Sequence, residues 1–160
     1  MKNKVYLLLS ILFLLLCVGC SESKTKFVFS NFGIEVKMQI DETIIVSQDN
    51  NAMLISDIKS NDAIGVISVA KEEGKNINEI YNMYIIGDGE RTKTELSDNL
   101  IFVEIINRVD SVVHGERIDK MYCFIFYEEN TDAVLYGRFF ESNERDYVIS
   151  LAKSIEVTNT

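Results

Sequence analysis

The chain has 160 residues, 47% of them apolar, with 16 Lys and Arg against 25 Asp and Glu for a net charge of −9. That length suits one ordinary domain, and that apolar content argues against disorder. A pI near 4.6 disfavours nucleic acid, whose phosphates need clustered Lys and Arg; one His and three Cys barely suffice for a four-ligand zinc site.

The N-terminus reads MKNKVYLLLSILFLLLCVGC. Lys2 and Lys4 form a basic start, and Val5 to Gly19 is apolar except for Ser10. This run is shorter than the ~20 residues of a spanning helix and has the basic and apolar regions of an export signal. The segment Cys17-Val18-Gly19-Cys20, followed by polar SESKTK, resembles the bacterial lipobox. Gly19 and Cys20 match its two most demanding positions, whereas Cys17 stands where Leu is commonest. The resemblance implies cleavage between Gly19 and Cys20, diacylglycerol on the Cys20 thiol and a further acyl chain on the new N-terminus. Residues 1–19 then form a signal peptide, 20–26 an acylated Cys and short tether, and 27–160 a single domain. Loss of Lys2 and Lys4 leaves 14 basic against 25 acidic residues, so acyl chains rather than charge must hold the domain to an anionic membrane. Ser21 resembles the outer-membrane sorting pattern of Gram-negative bacteria. The expected location is that membrane, facing the periplasm, or the outer face of the cell membrane in other bacteria.

From Gly33 the pattern has period two. Ile34, Val36, Met38 and Ile40 alternate with Glu35, Lys37 and Gln39, as in a half-buried strand. Thr43–Ser47, Ala52–Ile58 and Ala63–Lys71 read as further strands, separated by the turns Gln48-Asp49-Asn50-Asn51 and Ser60-Asn61-Asp62. The period then changes. Ile77, Ile80, Tyr81, Tyr84 and Ile85 make one face of a helix, with Asn76 as N-cap, Glu79 completing a capping box and Gly87-Asp88-Gly89 as the stop. Thr92–Leu96, Leu100–Val109, Arg117–Tyr127 and Ala133–Glu141 read as strands, the last three spaced like a meander. A final helix runs from about Glu144 to Ser154, capped by Ser142 or Asn143, with Tyr147, Val148, Leu151 and Ala152 on its apolar side. Ile155–Val157 adds a short edge strand. The expected class is α+β: a mainly antiparallel sheet with two helices, in the order ββββ-α-βββ(β)-α.

The strand FGIEVKMQI, the helix INEIYNMYI and the ending ERDYVISLAKSIEV give a layout that resembles the PsbP-like fold, which includes small bacterial lipoproteins of the DcrB type. The resemblance spans residues 28–157 and lacks the Pro and Trp often found near the opening strand. It implies a fold and no activity.

The search for chemistry finds no nucleophile elbow, zinc-protease helix or P-loop. His114, in Val-His-Gly, reads as an exposed turn residue rather than a general base. The acids Asp41-Glu42, Glu72-Glu73, Glu128-Glu129 and Asp132 each sit beside a turn and read as solvated loops; weak Ca²⁺ binding at Glu128, Glu129 and Asp132 has nothing else behind it. Cys123, inside Met121–Phe126, reads as a small buried hydrophobe. No catalytic residue, metal or cofactor is expected. The aromatics Phe124, Phe126, Tyr136, Phe139 and Phe140 crowd two neighbouring strands, and Phe139 and Phe140 must point to opposite faces. If helices or loops cover both faces, these residues are core. If one face is open, they form a partner surface. Two expectations follow: a non-catalytic, lipid-anchored envelope protein that binds another protein as an accessory, assembly or immunity factor, or a lipoprotein enclosing an apolar pocket for a small molecule or lipid.

Overall fold

The structure is a computed structural model that describes residues 24–85, 89–111, 115–140 and 145–160, with backbone alone for 107–111 and 115–119. The N-terminal segment read as a signal, with Cys20, the residue His114, the first two residues of Gly87-Asp88-Gly89 and the expected caps Ser142 and Asn143 lie outside the described residues.

The elements run β1 (Thr25–Phe29), β2 (Ile34–Met38), β3 (Ile44–Gln48), β4 (Ala52–Asp57), β5 (Ala63–Lys71), α1 (Ile77–Tyr84), β6 (Glu90–Ser97), β7 (Leu100–Ser111), β8 (Gly115–Glu128), β9 (Ala133–Phe140), α2 (Arg145–Lys153) and β10 (Glu156–Asn159). They form two antiparallel sheets. The smaller has the order β1-β2-β10, and the larger β3-β4-β5-β9-β8-β7-β6. This is an α+β fold, mostly antiparallel, with two helices.

Strands covered on one face alternate, whereas the central strands, covered on both, carry runs of buried residues such as Tyr122–Tyr127. In β2, Ile34, Val36 and Met38 are buried while Glu35 and Lys37 are not. In β5, Gly65, Ile67 and Val69 point inward. The strands β7 to β9 form the meander that their spacing predicts, and β6 extends it by one strand. Helix α1 starts at the expected capping box. The Asn76 side chain accepts from the N–H of Asn78 at 3.0 Å and of Glu79 at 3.1 Å, and the Glu79 carboxylate accepts from the Asn76 N–H at 2.9 Å. These bonds satisfy donors that the first turn of a helix leaves unpaired.

Three features differ from the sequence reading. Thr25–Phe29 is a strand, so five strands precede α1, and it includes Thr25 and Lys26, which the sequence reading placed before the domain. Its pattern is short but complete, with Phe27 and Phe29 buried and Lys26 and Val28 exposed. The strands divide between two sheets instead of one. And β10 returns to pair with β2, from Glu156 opposite Lys37 to Asn159 opposite Ile34.

The division explains the core. One face of the large sheet is covered by the small sheet and α2. Phe27, Phe29, Ile34, Val36, Met38 and Val157 from the small sheet and Val148, Leu151 and Ala152 from α2 share a cluster with Met53, Ile67, Phe102, Phe124, Leu135 and Phe139. Full burial of side chains of this size contributes ~1.5–3 kcal/mol each. The opposite face is covered by α1, whose Ile80 packs in a second cluster with Ile101, Val103, Ile105, Cys123, Ile125 and Val134.

Candidate functional site

The expected aromatic surface separates by strand parity. Phe124, Phe126 and Phe139 point into the core between the sheets, where Phe124 and Phe139 are wholly buried and their rings stack with centroids 6.1 Å apart. This corrects the partner-surface expectation for those three: the small sheet and α2 cover Phe124 and Phe139 completely, and Phe126, 7% exposed, meets solvent only at a groove on that same side. Phe140, one residue after Phe139, points the other way and is 58% exposed. Tyr136 shares its face and is half-buried, with Tyr84 of α1 meeting its ring edge-on at 5.5 Å.

One line of paired residues crosses all seven strands on this outer face. It runs Ser47, Leu54, Val66, Arg138, Cys123, Val103, Lys93. Helix α1 covers its second half. Cys123 and Val103 are fully buried beneath the helix, and Lys93 closes over Tyr81 at 5.1 Å from the ring centre and bonds Asn78 at 2.7 Å. The first half is open. Leu54 is 45% exposed, Val66 is half-buried, and the Arg138 guanidinium lies 5.5 Å from the Tyr136 ring. The open half-face therefore has apolar and hydroxyl character with Arg138 as its cation, in a chain that is otherwise strongly acidic. Sequence reasoning found Phe140 and Tyr136 but missed Leu54 and Arg138. The alternation in β4 and β9 carried the signal for which side they take, but not for which part of that side a helix would cover.

Cys123 is the expected core thiol. It is fully buried, its Sγ lies 3.8 Å from the Tyr136 hydroxyl, and burial pushes its pKa up to about 11. A nucleophilic thiol needs the opposite environment. Burial likewise raises the Tyr136 hydroxyl, with the neighbouring thiol adding to it.

The acids hold turns and strand ends. Asp41 accepts from both the N–H and the hydroxyl of Thr43 at 2.8 Å, and the backbone bond is the leading reason its pKa is lowered. Glu72 accepts from the Tyr84 hydroxyl at 2.9 Å; burial first, then this carboxylate, pushes that tyrosine up to about 12. Asp132 accepts from Tyr127 at 3.1 Å, and Glu128 from the Asn130 side chain at 2.8 Å. Among the described residues no three His, Cys, Asp or Glu side chains gather in a way that could hold a metal ion.

A groove of about 540 Å³ opens on the other side of the domain, lined by Leu96, Leu100, Phe126, Ile155 and Val157 with Lys153 and Glu156 at its polar margin. Lys24, at the head of β1, bonds Glu156 at 2.8 Å and so brings the start of the domain to this margin.

The chain shares its fold with Mog1. Over 85% of this chain and 96% of the other, it superposes on the Saccharomyces cerevisiae Ran-binding protein Mog1p with a TM-score of 0.54 at 6% identity. A single-substitution mutant of the protein Mog1 gives a TM-score of 0.56, again at 6% identity, over 86% of this chain and 97% of that one. At that identity the likeness is one of fold alone. No protein-family model matches the chain, and no curated protein matches it.

Proposed function

We propose that this protein is a bacterial cell-envelope lipoprotein, anchored through lipid on Cys20, whose domain binds another protein without catalysis as an accessory, assembly or immunity factor. The observation that carries the protein-binding reading is the open half-face of the large sheet, where Phe140 and Leu54 stand exposed beside Arg138. Interface hot spots are enriched in Tyr and Arg, and here Arg138 lies over the Tyr136 ring with the exposed Phe140 on the same face. The shared fold supports the reading in one respect: a protein with this architecture, Mog1p, is described as Ran-binding. The anchor rests on the lipobox resemblance of residues 17–20.

Two measurements test the two halves. Cys20→Ala abolishes incorporation of radiolabelled palmitate; unchanged incorporation refutes the anchor. A photocrosslinking amino acid at position 140, and separately at position 138, captures the same envelope protein from membranes, and Arg138→Glu removes the product from position 140. Products that differ between the two positions, or that survive Arg138→Glu, refute the surface.

A second reading has its own observation, the groove at Leu96, Leu100 and Phe126. Its volume lies within the ~300–1,000 Å³ range of small-molecule sites. A fluorescent fatty acid that binds the protein and is displaced by Leu100→Trp supports a lipid ligand. Binding indifferent to that substitution removes the reading.

A further inference from the structure

The large sheet ends at β6 on one side and at β3 on the other. Exposed strand edges invite pairing with another chain, and proteins usually guard them with charge, Pro or cover. Strand β6 carries Glu90, Arg91, Lys93 and Glu95. In the small sheet, the edges carry Lys26 on β1 and Glu156 on β10. Strand β3 reads Ile-Ile-Val-Ser-Gln and carries no charge, Pro or Gly. It is the one uncharged edge among the described strands.

The bonds to β4 determine which backbone groups β3 leaves over. The Thr43 carbonyl accepts from the Ile58 N–H at 2.8 Å, and the Asp49 N–H donates to the Ala52 carbonyl at 2.9 Å. In an antiparallel pair, alternate residues turn their backbone groups to the same neighbour. Thr43, Ile45, Ser47 and Asp49 thus face β4. Val46 and Gln48 turn their N–H and C=O groups away from the sheet, and Ile44 its carbonyl.

We propose that β3 is a self-pairing edge, at which a second copy of this chain adds antiparallel about a two-fold axis at Val46. In that register Val46 of one copy exchanges both backbone hydrogen bonds with Val46 of the other, and Ile44 pairs with Gln48. These are the residues whose backbone groups point outward. The charges are compatible with this register. Glu42 falls opposite Asn50 and Asp49 opposite Thr43, so acid does not meet acid although each copy carries −9. An axis at Ile45 would set Asp41 against Asp49, a like-charge pair that destabilises cross-strand pairing. An acidic protein can meet its own copy only where acids are absent or offset, and this edge meets that condition. The pairing joins two seven-stranded sheets and covers Ile45, which is 44% exposed in one copy. It is independent of the anchor and of the Phe140 surface.

Sedimentation velocity of the full chain in detergent, across the micromolar range, tests this. The wild-type chain is expected to dimerise. Val46→Pro removes the outward N–H without touching the bonds to β4, a position where an edge strand tolerates Pro. Ile45→Lys charges the edge instead. Each variant weakens the dimer roughly tenfold or more, while Met83→Lys, on the exposed side of α1, leaves it unchanged; circular dichroism confirms that all three fold. A wild-type chain that stays monomeric overturns the proposal, as does a dimer that survives both edge variants. A monomer that photocrosslinks from position 45 to a different protein overturns it in favour of strand addition by a foreign chain.

Discussion

The ring of Phe124 on β8 lies over Gly137 on β9, directly opposite it in register. A Cβ at position 137 would overlap three carbons of that ring. The relationship repeats one strand further on, where the Phe139 ring lies over Gly65 of β5. Each glycine opens the space that the neighbouring strand's aromatic fills, so two phenylalanines lie flat against the sheet and leave room for the small sheet above.

Gly137→Ala forces the buried Phe124 ring to shift within a packed core. The expected loss is ~1–3 kcal/mol, the range for overpacking, read from the midpoint of urea unfolding. Gly65→Ala behaves similarly, with the Arg138 carbonyl 2.9 Å from the added carbon as a second obstacle. Stability equal to wild type in both would show that the rings do not need the glycines.

Asn76→Ala removes the side-chain half of the α1 capping box. The cost is ~1 kcal/mol of stability. A double-mutant cycle with Glu79→Ala, followed by thermal unfolding, should give less than the sum of the single changes, since the two side chains form one reciprocal cap. Full additivity would argue against the box.

Tyr147 carries a buried hydroxyl with no hydrogen-bond partner among the described residues, and burial pushes its pKa up to about 12. A buried polar group without a partner is a cost, so Tyr147→Phe is expected to be neutral or to stabilise by ~1 kcal/mol. A clear loss of stability in the same unfolding assay would mean that the hydroxyl has a partner in solution.

The pH dependence has two limbs with opposite signs. Cys123 has a folded pKa near 11, above the free thiol's value, so its contribution is complete below the ordinary thiol pKa and is lost as pH rises towards 11. The thiol should resist alkylation at pH 8 in the folded chain and react after unfolding. On the acid side, the N–H groups of Ser60 and Lys59 hold the Asp57 carboxyl below its ordinary value. That contribution is present above the ordinary carboxylate pKa and is lost as pH falls through the lowered one. Asp57→Asn should flatten the acid limb of stability against pH and leave the alkaline limb unchanged.

Much of the fold was legible in the sequence because its signals are local. Alternation marked β2, turn residues bounded β4 and β5, apolar runs and spacing marked the strands of the meander, and a capping residue three positions before an acid marked the start of α1. Strand β1 was missed because it is five residues long and half of its outward positions look like a polar tether. The surface was only partly legible. Parity separated Phe139 from Phe140, since adjacent residues in a strand must diverge, but it could not say which face would be covered.

What the sequence by itself determined is therefore the class of the domain, the type and order of nearly all its elements and the side that each residue takes within its own strand. These depend on neighbours a few positions away. What only the tertiary structure decided is the return of β10 to β2, the division into two sheets and the resulting cover over Phe124, Phe126 and Phe139, with Leu54, Arg138 and Phe140 left open. Those outcomes come from packing between segments distant in the chain, such as Val36 against Val157, and no local pattern records which distant segment will arrive.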